Sequence, residues 1–462
     1  MDHKKNKRRQ SLKTIFAEAL MTLSVIITVA VLVFLVSGYW INSDFEIERQ
    51  GLLQISSIPT GANIYIDHNS PLLQHTNTSK VLPSGEHTIT LSKEGYDSWS
   101  KTINISEGLL YKIHYPRLFL ENRKKETALD LDSITTATIS PNHNSIILIK
   151  DISNWEYINL ENEKLEPTKL SLDKIFSNSS SINTGILNID WDHNNSHILL
   201  KIKKDNNIEW ILIDIKNIDK SINLTSEFGE NFEKIKIVDD SSNTLLAVQN
   251  NNLHKIDVPN KLISNILIKD IIDFDYYDNE IIFSAKNDSS ENEKYDIGLF
   301  KLNDDKITKI KESSNSAKVT LSKFYDDKYI TILKNNTLSI YKKNDLEKIS
   351  NFELSFIPEN IQVGHNGEFI IMYSGQQIAT LDMESMSINE WNIENDSFSW
   401  IDNDMIYTVS NQDLIVYDYD GLNRRIISNN VSNTLPAAIT NDKWLYYFNN
   451  DSNLMREWLI KH

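Results

Sequence analysis

Ser171 and Lys174 have the S-x-x-K spacing that places a lysine base beside a serine nucleophile in one class of enzymes. They lie in a connector rich in Ser and Asn, and the other motifs of that class do not accompany them. The sequence G-x-S-x-G, which builds the nucleophile turn of α/β-hydrolases, does not occur in the chain. We therefore attribute the match to chance and predict no catalytic serine.

His193 and His197 have the i,i+4 spacing at which two histidines share one face of a helix and bind zinc. The sequence around them, however, has a strand–turn–strand pattern. In that conformation residues four apart do not share a helical face. Chance is again the preferred interpretation, and no zinc site is predicted.

Asp418, Asp420 and Asn423, with Gly421 between them, match half of a calcium-binding loop. The glutamate that closes an EF-hand loop is missing, and Asp-Gly is also the ordinary residue pair of a hairpin turn. The turn is the preferred interpretation. No Gly-rich loop precedes a helix, so a phosphate cradle is not expected. The sequence thus predicts no catalytic, metal-binding or cofactor-binding residue, and it leaves the binding residues open.

The composition excludes several classes of function. The 462-residue chain has a formal net charge of −17 and a pI near 5.1, which argues against binding to nucleic acid, since phosphates need a basic face. The chain has no cysteine, so disulfides, zinc-thiolate sites and thiol catalysis are excluded. Its length indicates about two to four domains.

One uninterrupted apolar segment, residues 19–40, dominates the N-terminal part of the chain. It contains no charged residue, and as a helix it would be ~33 Å long, enough to cross the hydrocarbon core of a bilayer. We predict a transmembrane helix over residues 15–41. The basic residues 1–14 before it are expected to form a disordered tail on the cytoplasmic side.

The charges beside the apolar segment predict its orientation. Six Lys or Arg residues precede it, whereas Asp44, Glu46 and Glu48 follow it, with Arg49 as the nearby cation. Cytoplasmic flanks collect Lys and Arg, so we expect the N-terminus inside and the bulk of the chain outside the cytoplasm. A cleaved signal peptide is the alternative. Against it, the apolar run exceeds the ~7–15 residues usual for such peptides, and no A-x-A-like site ends it.

Residues 51–118 have the pattern of a small all-β domain. Apolar and polar residues alternate over residues 63–67, 87–91 and 101–105, and Gly or Pro residues separate these runs. Strict alternation buries one face of each strand and leaves the other in water. We therefore expect a small antiparallel sandwich.

Three stretches of this domain, residues 58–67, 82–89 and 95–99, resemble the landmarks of the PEGA domain in order and spacing. The departures are Thr60 in place of the signature Glu, and His68 with its neighbour in place of the usual Asp-Gly turn. The resemblance implies a sandwich of the bacterial surface type, found beside membrane anchors and larger domains. It carries no implication of catalysis.

Three side chains of this domain are candidates for binding, but we assign them to structure. Tyr96 and Trp99 are expected in the core or at its rim rather than on a glycan-binding platform. His87 follows a turn and is expected to be a half-exposed strand residue rather than a ligand. Residues 119–126 then have no apolar period, and we expect a solvated, charged linker there.

From residue 127 to residue 462 a weak unit of strand, polar turn and apolar strand recurs. Clear copies begin at residues 138, 188 and 361, and the unit returns about eight times at a spacing of roughly 36–50 residues, near the ~40–45 of propeller repeats. Helix signals are nearly absent, and only a propeller explains the period. We predict a mainly β protein with a propeller of about eight blades, seven being the alternative.

The stretch at residues 414–424 and the Ser-Pro-Asn turn at 140–142 resemble WD40-like and TolB-like propellers, although the Gly-His and Trp-Asp landmarks of WD40 repeats are missing. We expect residues 127–133 to close the ring by pairing with strands near Trp458. Most tryptophans of this region are assigned to blade cores, with one or two near a mouth as possible sugar platforms. These are Trp155, Trp191, Trp210, Trp391, Trp400, Trp444 and Trp458.

The features together predict a non-enzymatic binding or scaffolding protein of the bacterial cell envelope. It would be held in the membrane by residues 19–40 and would present the propeller to an envelope protein or glycan, without cofactor and without nucleic acid. One alternative is an envelope enzyme with carboxylates or histidines converging in the propeller channel. A sensor or transport accessory is the other alternative, although residues 1–14 are too short for a signalling domain.

Overall fold

The computed structural model describes residues 2–36, 39–41, 47–68, 75–176, 184–204, 207–238, 243–287, 293–304 and 306–461. The chain divides into two compact units, Met1–Asn122 and Arg123–His462. The first contains a long helix and a small β domain, and the second is a ring of β-sheets.

The first unit begins with a single helix, α1 (Asp2–Val36). The expected disordered tail over residues 1–14 is wrong, because residues 2–14 continue the apolar helix toward the N-terminus. Lys and Arg are good helix formers, and no Gly or Pro interrupts them. Within α1 the 19-residue segment Phe16–Phe34 has a mean hydropathy of 2.3 and no buried residue, so it is long and apolar enough to cross a membrane. A signal sequence would have the same properties.

The small β domain consists of two sheets. Its strands are β1 (Tyr39–Ile41), β2 (Ile47–Ile55), β3 (Asn63–Ile66), β4 (Thr78–Pro83), β5 (Gly85–Ser92), β6 (Trp99–Ile105) and β7 (Leu110–Ile113). One sheet has the order β1-β2-β4 with β7 beside β2, and the other has the order β3-β5-β6. The pairing is antiparallel except for β2 with β7, which run parallel, so the expectation of a purely antiparallel sandwich is corrected.

Alternation along these strands explains the core of the domain. On β6 the exposed residues alternate with Trp99, Ile103 and Ile105, which are buried. Ile64 on β3 and Ile89 on β5 are fully buried as well. The period of two therefore places one face of each strand in a shared apolar layer, as the sequence predicts.

The described residues of the second unit form eight four-stranded antiparallel sheets, which we number as blades 1 to 8. Its first strand, β8 (Lys125–Leu129), belongs to the last blade. Blade 1 contains β9 (Thr136–Ile139), β10 (Ser145–Ile149), β11 (Asn154–Asn159) and β12 (Thr168–Ser171). Blade 2 contains β13 (Thr184–Trp191), β14 (His197–Lys204), β15 (Asn207–Asp214) and β16 (Ile222–Asn223). Blade 3 contains β17 (Lys234–Ile237), β18 (Thr244–Gln249), β19 (Asn252–Asp257) and β20 (Leu262–Ile263). Blade 4 contains β21 (Ile271–Tyr277), β22 (Glu280–Lys286), β23 (Tyr295–Lys301) and β24 (Lys306–Ser313).

The remaining blades repeat the same order of strands. Blade 5 contains β25 (Lys318–Phe324), β26 (Asp327–Lys334), β27 (Thr337–Lys342) and β28 (Glu347–Glu353). Blade 6 contains β29 (Asn360–Val363), β30 (Phe369–Ser374), β31 (Gln377–Asp382) and β32 (Ser387–Asn392). Blade 7 contains β33 (Phe398–Trp400), β34 (Met405–Ser410), β35 (Asp413–Asp418) and β36 (Arg425–Ser428). Blade 8 contains β37 (Ala438–Thr440), β38 (Trp444–Phe448) and β39 (Leu454–Trp458).

The ring closes where β8 pairs antiparallel with β39 in blade 8. The register places Leu129 opposite Leu454 and Lys125 opposite Glu457. The fold is therefore a β-propeller of eight blades, and the alternative of seven is wrong. The closing strand begins at Lys125, within the stretch for which the sequence predicts a solvated linker. It ends at Leu129, before the expected limit at residue 133.

Neighbouring blades bury both faces of each other's middle strands. All five residues of β10 are buried. Ile147 and Ile149 of that strand pack with Ile198 and Leu200 of blade 2. Such strands need apolar residues at every position, which explains the continuous apolar runs in this part of the sequence. Among the residues that the structure describes, three short helices lie in the connections: α2 (Asp173–Phe176), the 3-10 helix Ile218–Lys220 and α3 (Leu224–Phe228).

Candidate functional site

The propeller has two ends with different chemistry. At one, the AB end, turns join the first and second strands of each blade, for example residues 140–145, 192–197 and 364–369. At the other, the BC end, turns join the second and third strands, and the chain passes from one blade to the next. The antiparallel order of the strands separates the two kinds of turn. Between these ends the first strands line the central channel.

At the AB end, the imidazole groups of two histidines from opposite blades lie next to each other across the propeller. His193 lies in a turn of blade 2 and His365 in the corresponding turn of blade 6, opposite it in an eight-bladed ring, and their ring centroids are 5.2 Å apart. Burial, together with the nearby His193, lowers the pKa of His365. Neighbouring turns are also linked, since Thr440 Oγ1 donates a hydrogen bond to the His143 carbonyl oxygen at 2.6 Å.

The two histidines at i,i+4 spacing, His193 and His197, do not converge on one point. His197 Nδ1 lies 3.0 Å from Asp192 Oδ2, and its Nε2 lies 3.7 Å from Asp214 Oδ2, while His193 contacts His365 instead. Burial opposes the charge on Asp192, but hydrogen bonds from His197 and Ser196 outweigh it and lower the pKa of Asp192. Within the part of the chain that the structure describes, no three His, Asp or Glu side chains form a group able to hold a metal ion.

The S-x-x-K residues have separate partners. Ser171 Oγ donates a hydrogen bond to Asp173 Oδ2 at 2.7 Å. The ammonium of Lys174 lies 2.5 Å from Asp219 Oδ1, in the connection between β15 and β16 of blade 2. Lys174 is thus held by a carboxylate, and the pair is not arranged as nucleophile and base.

The loop over residues 418–423 is a turn after β35. Asn423 Nδ2 donates to Asp418 Oδ2 at 2.8 Å, and the Arg425 guanidinium lies 3.5 Å from Asp418 Oδ1. Gly421 has a φ of +79°, and a Cβ there would be 2.4 Å from the Trp391 ring of blade 6. The glycine is therefore required both by the backbone conformation and by the contact between blades.

The channel wall of blades 3 to 5 carries a ladder of charges. Lys234 on β17 lies 3.0 Å from Asp273 on β21. Lys236, two residues later on the same strand, pairs with Asp275. Asp273 Oδ2 also accepts the Val319 backbone N–H of blade 5 at 3.0 Å. Asp275 Oδ2 likewise accepts a hydrogen bond from the backbone N–H two residues further along β25, at 2.9 Å. These carboxylates therefore hold neighbouring inner strands together.

Asp190 is a carboxylate of β13, the inner strand of blade 2. Desolvation by the surrounding walls raises the pKa of Asp190, although Lys236, Lys234 and Lys201 oppose the shift. Its side chain is nevertheless exposed by surface area. The exposure and the desolvation of Asp190 are compatible if its carboxylate faces water inside the channel and protein atoms surround that part of the channel. Asn188 Nδ2 donates to its Oδ2 at 2.6 Å.

The BC end has two half-open recesses with polar walls. The Lys recess, between blades 4 and 5, has a volume of about 360 Å³. Its walls are Ile297, Lys311, Ser313, Asn315, Ile332, Lys334, Asn335, Thr337, Ser339 and Asn351. The amide recess, at blades 7 and 8, has a volume of about 430 Å³. Its walls are Asn395, Val409, Ser410, Asn411, Gln412, Val431, Asn433 and Asn450.

The amide recess is built by a network of side-chain amides. Asn450 Nδ2 lies 2.7 Å from Gln412 Oε1 and 2.7 Å from Asn430 Oδ1. Asn395 Nδ2 donates to the Val409 carbonyl oxygen at 3.0 Å. Such walls offer both hydrogen-bond donors and acceptors and carry no charge, which suits a neutral polar ligand.

The predicted aromatic residues are mostly structural. Trp155 and Trp210 are buried in blade cores, and Trp210 Nε1 donates to the Phe232 carbonyl oxygen at 2.9 Å. Trp191, Trp391, Trp400, Trp444 and Trp458 are half-buried. In the small β domain Tyr96 and Trp99 are buried, in agreement with their assignment to the core.

His87 of the small β domain is more constrained than its predicted role as a half-exposed strand residue. Its Nδ1 lies 2.7 Å from Asp67 Oδ2, and its Nε2 lies 2.9 Å from the Pro83 carbonyl oxygen. Burial disfavours the imidazolium, but these two hydrogen bonds outweigh it and raise the pKa of His87. The hydrogen bond from His87 in turn lowers the pKa of Asp67.

Comparison with known families decides the identity of the small domain. Residues 50–117 match the profile of the PEGA domain. This segment is a PEGA domain. The match includes the three landmarks in the sequence, most of β2, and all of β3 to β7. The His87–Asp67 pair therefore belongs to the PEGA domain. No curated protein matches the chain significantly.

Several solved structures align with the chain at low identity. The Cps50 (Swd1) β-propeller domain of Myceliophteria thermophila is 10% identical with a TM-score of 0.39, covering 74% of this chain and 99% of that one. Hsv2 of Kluyvelomyces marxianus is 10% identical with a TM-score of 0.41, and the alignment covers 62% of this chain and 93% of that one. An oligogalacturonate lyase of Vibrio parahaemolyticus is 10% identical with a TM-score of 0.37, and the alignment covers 60% of this chain and 97% of that one. The eight-sheet topology, rather than these alignments, carries the assignment of the propeller.

The recesses and Asp190 are the features that sequence reasoning missed. For the channel wall near Asp190, the sequence did contain a signal. Lys234 and Lys236, like Asp273 and Asp275, are two residues apart and therefore on the same face of an inner strand. The recess walls had no such signal, because they combine turns and strand ends from two blades or more.

Proposed function

We propose that this chain is a membrane-anchored, extracytoplasmic binding or scaffolding protein of the bacterial cell envelope. In this proposal the PEGA domain is a spacer or a cell-wall contact. The propeller is the recognition module, and its BC end contacts an envelope protein or glycan. The observation that carries the proposal is the pair of polar recesses at that end.

The anchor part of the proposal rests on the segment Phe16–Phe34. No residue of this segment is buried, so its apolar side chains need an apolar environment that the described protein does not provide. The basic residues before it and the acidic residues after it favour a cytoplasmic N-terminus. The absence of cysteine is compatible with an exported chain held together by its cores alone.

The binding part rests on the chemistry of the recesses. Amide and hydroxyl groups line them, and an extended polar ligand that crosses the BC end would meet both. Sugar hydroxyls and peptide groups are donors and acceptors of the same kind. Because the recesses are half-open, affinity would come from several contacts along a ligand rather than from enclosure of a small molecule.

Binding of the full chain in detergent micelles to purified cell-wall sacculi and to envelope protein extract tests the proposal. We expect saturable binding to one of these fractions. Asn433→Arg, which places a bulky cation in the amide recess, should weaken it by about tenfold or more. Asn392→Arg makes the same change at an exposed position of β32 and should bind as the parent chain does. Absence of saturable binding to either fraction would contradict the proposal.

A second candidate function is an envelope enzyme that uses the channel, and Asp190 is the observation that favours it. A carboxyl group with a raised pKa beside three lysines has the character of a general acid or base. If the same envelope fractions are degraded by the full chain and Asp190→Asn abolishes the degradation, the enzyme replaces the binding protein as the better interpretation.

A further inference from the structure

The Lys recess differs from the amide recess in charge. Lys311 at the end of blade 4 and Lys334 at the turn of blade 5 both line it, and none of its wall residues is acidic. The whole chain carries a formal net charge of −17, so two cations in a recess without a carboxylate are a local exception. Charges more than ~8 Å away are largely screened at physiological ionic strength, so this local balance decides what the recess attracts.

The ammonium groups of the two lysines are also available to a ligand. In the structure as described, neither Lys311 nor Lys334 lies within ion-pair distance of an acidic side chain, and Lys334 Nζ makes a long contact of 3.4 Å with Ser314 Oγ. Seven other lysines of these blades or the turns beside them do pair with carboxylates. They are Lys286, Lys294, Lys301, Lys309, Lys328, Lys342 and Lys343.

The neutral wall groups add hydrogen-bond donors to these charges. Ser339 Oγ donates to Asn351 Oδ1 at 2.7 Å, which turns the Nδ2 group of Asn351 toward other acceptors. Asn335 lies in the turn between β26 and β27, and the Thr337 hydroxyl is beside it on β27. Ammonium, amide N–H and hydroxyl groups around one recess are the donors that a compact oxyanion requires.

We propose that the Lys recess binds a compact oxyanion, a phosphate or carboxylate group, carried on a hydroxylated ligand. Lys311 and Lys334 contact the anion, and Asn351 and Thr337 hold it or a neighbouring hydroxyl group. The recess is larger than a single oxyanion needs, since pockets of ~300–1,000 Å³ hold whole small molecules. A sugar acid and a polyol phosphate present the same chemistry. This inference narrows the ligand class of the proposed binding function and rests on it.

Titration calorimetry of the full chain in detergent micelles tests the proposal with four probes: glycerol 3-phosphate, inorganic phosphate, glucuronate and, as the neutral control, glucose. We expect saturable binding of at least one anionic probe and none of glucose. Lys334→Gln should weaken that binding by about tenfold, because it removes a charged hydrogen-bond donor to the anion. Lys311→Gln should act in the same direction, and the preference between phosphate and carboxylate identifies the source of the anion.

Lys306→Gln is the matched control for charge, because Lys306 lies on the same strand as Lys311 but outside the recess. It should leave the affinity unchanged, and all three variants should keep the melting temperature of the parent chain. Equal weakening by Lys306→Gln and Lys334→Gln, or no anion binding at all, overturns the proposal. If no anionic probe binds while the parent chain still binds the envelope fraction, the oxyanion site fails and the proposed function stands.

Discussion

At the scale of single residues, one hydrogen-bonded pair in the PEGA domain influences the charge state of both of its members. His87 and Asp67 of the PEGA domain join β5 to the end of β3 through one hydrogen bond of 2.7 Å. Asp67 Oδ1 also accepts the Thr88 backbone N–H at 2.9 Å. The pair therefore couples the protonation of one imidazole to the pairing of two strands.

The first prediction concerns the pH dependence of this pair. The pKa of His87 is raised above 6.5, so its contribution to stability is complete below that value and is lost as the pH rises through the folded-state pKa. The pKa of Asp67 is lowered below 3.8, so its contribution is complete above that value and is lost only as the pH falls through the folded-state pKa. Protection of the Thr88 amide against hydrogen exchange, corrected for intrinsic rates, should therefore decrease from about pH 6 to about pH 8.

His87→Gln is the control for this measurement, because glutamine keeps a hydrogen-bonding side chain but does not titrate. The corrected protection in this variant should be flat over the same range. A decrease of the same size in the variant and in the parent chain would show that another group causes it.

At the scale of elements, the ring depends on contacts between blades that are distant in sequence. Glu457 of β39 is buried and accepts hydrogen bonds from Ser428 at 2.6 Å and from Tyr447 at 2.9 Å. Arg123, at 3.3 Å, and Lys125, at 3.6 Å, supply the opposite charge. The start of the chain's second unit is thus fastened to its end by a satisfied buried carboxylate, together with the β8–β39 pairing.

Gly367 provides the second prediction, on the contact between blades 5 and 6. It has a φ of +74°, and a Cβ there would be 2.0 Å from the Lys323 carbonyl oxygen. Gly375, on the same blade, has a φ of +54° with nothing within 4 Å of its Cβ position. Gly375→Ala should cost ~1 kcal/mol of unfolding free energy from backbone strain alone. Gly367→Ala should cost at least ~1–3 kcal/mol more, because the strands must also separate.

Urea denaturation of the two variants measures this difference. Both carry the same substitution in the left-handed region of the backbone, so the difference between them reports the contact with Lys323. Equal losses of stability would mean that blades 5 and 6 are not packed as closely as the structure places them.

For the whole molecule, the orientation in the membrane determines what the propeller meets. The natural chain has no cysteine, so a single introduced cysteine is a clean reporter. In intact cells, a membrane-impermeant maleimide should label Ser316→Cys, an exposed position of the propeller. It should not label Gln10→Cys, on the basic side of the apolar helix, until the membrane is permeabilised. Labelling of Gln10→Cys alone in intact cells would reverse the proposed topology.

Sequence periodicity was sufficient for much of the whole-molecule organisation. Alternation over residues 63–67 and 101–105 predicted the strands of the PEGA domain, and the recurring unit predicted a propeller of about eight blades. The tail at residues 1–14 was mispredicted, because helix extension depends on propagation from the apolar segment rather than on local polarity. Neither the Lys recess nor the amide recess was predicted from the sequence.

Several properties depend only on composition and on neighbours in the chain, and these could be predicted without the fold. These are the length of the apolar helix, the strand alternation, the repeat period and the lack of thiols. Three other properties became visible only in the folded chain: β8 pairs with β39, His193 lies beside His365, and Lys311 and Lys334 line one recess. Closure into a ring brings residues from different blades together. Local sequence does not encode those distances, because each blade would have the same pattern in a ring of seven or of eight.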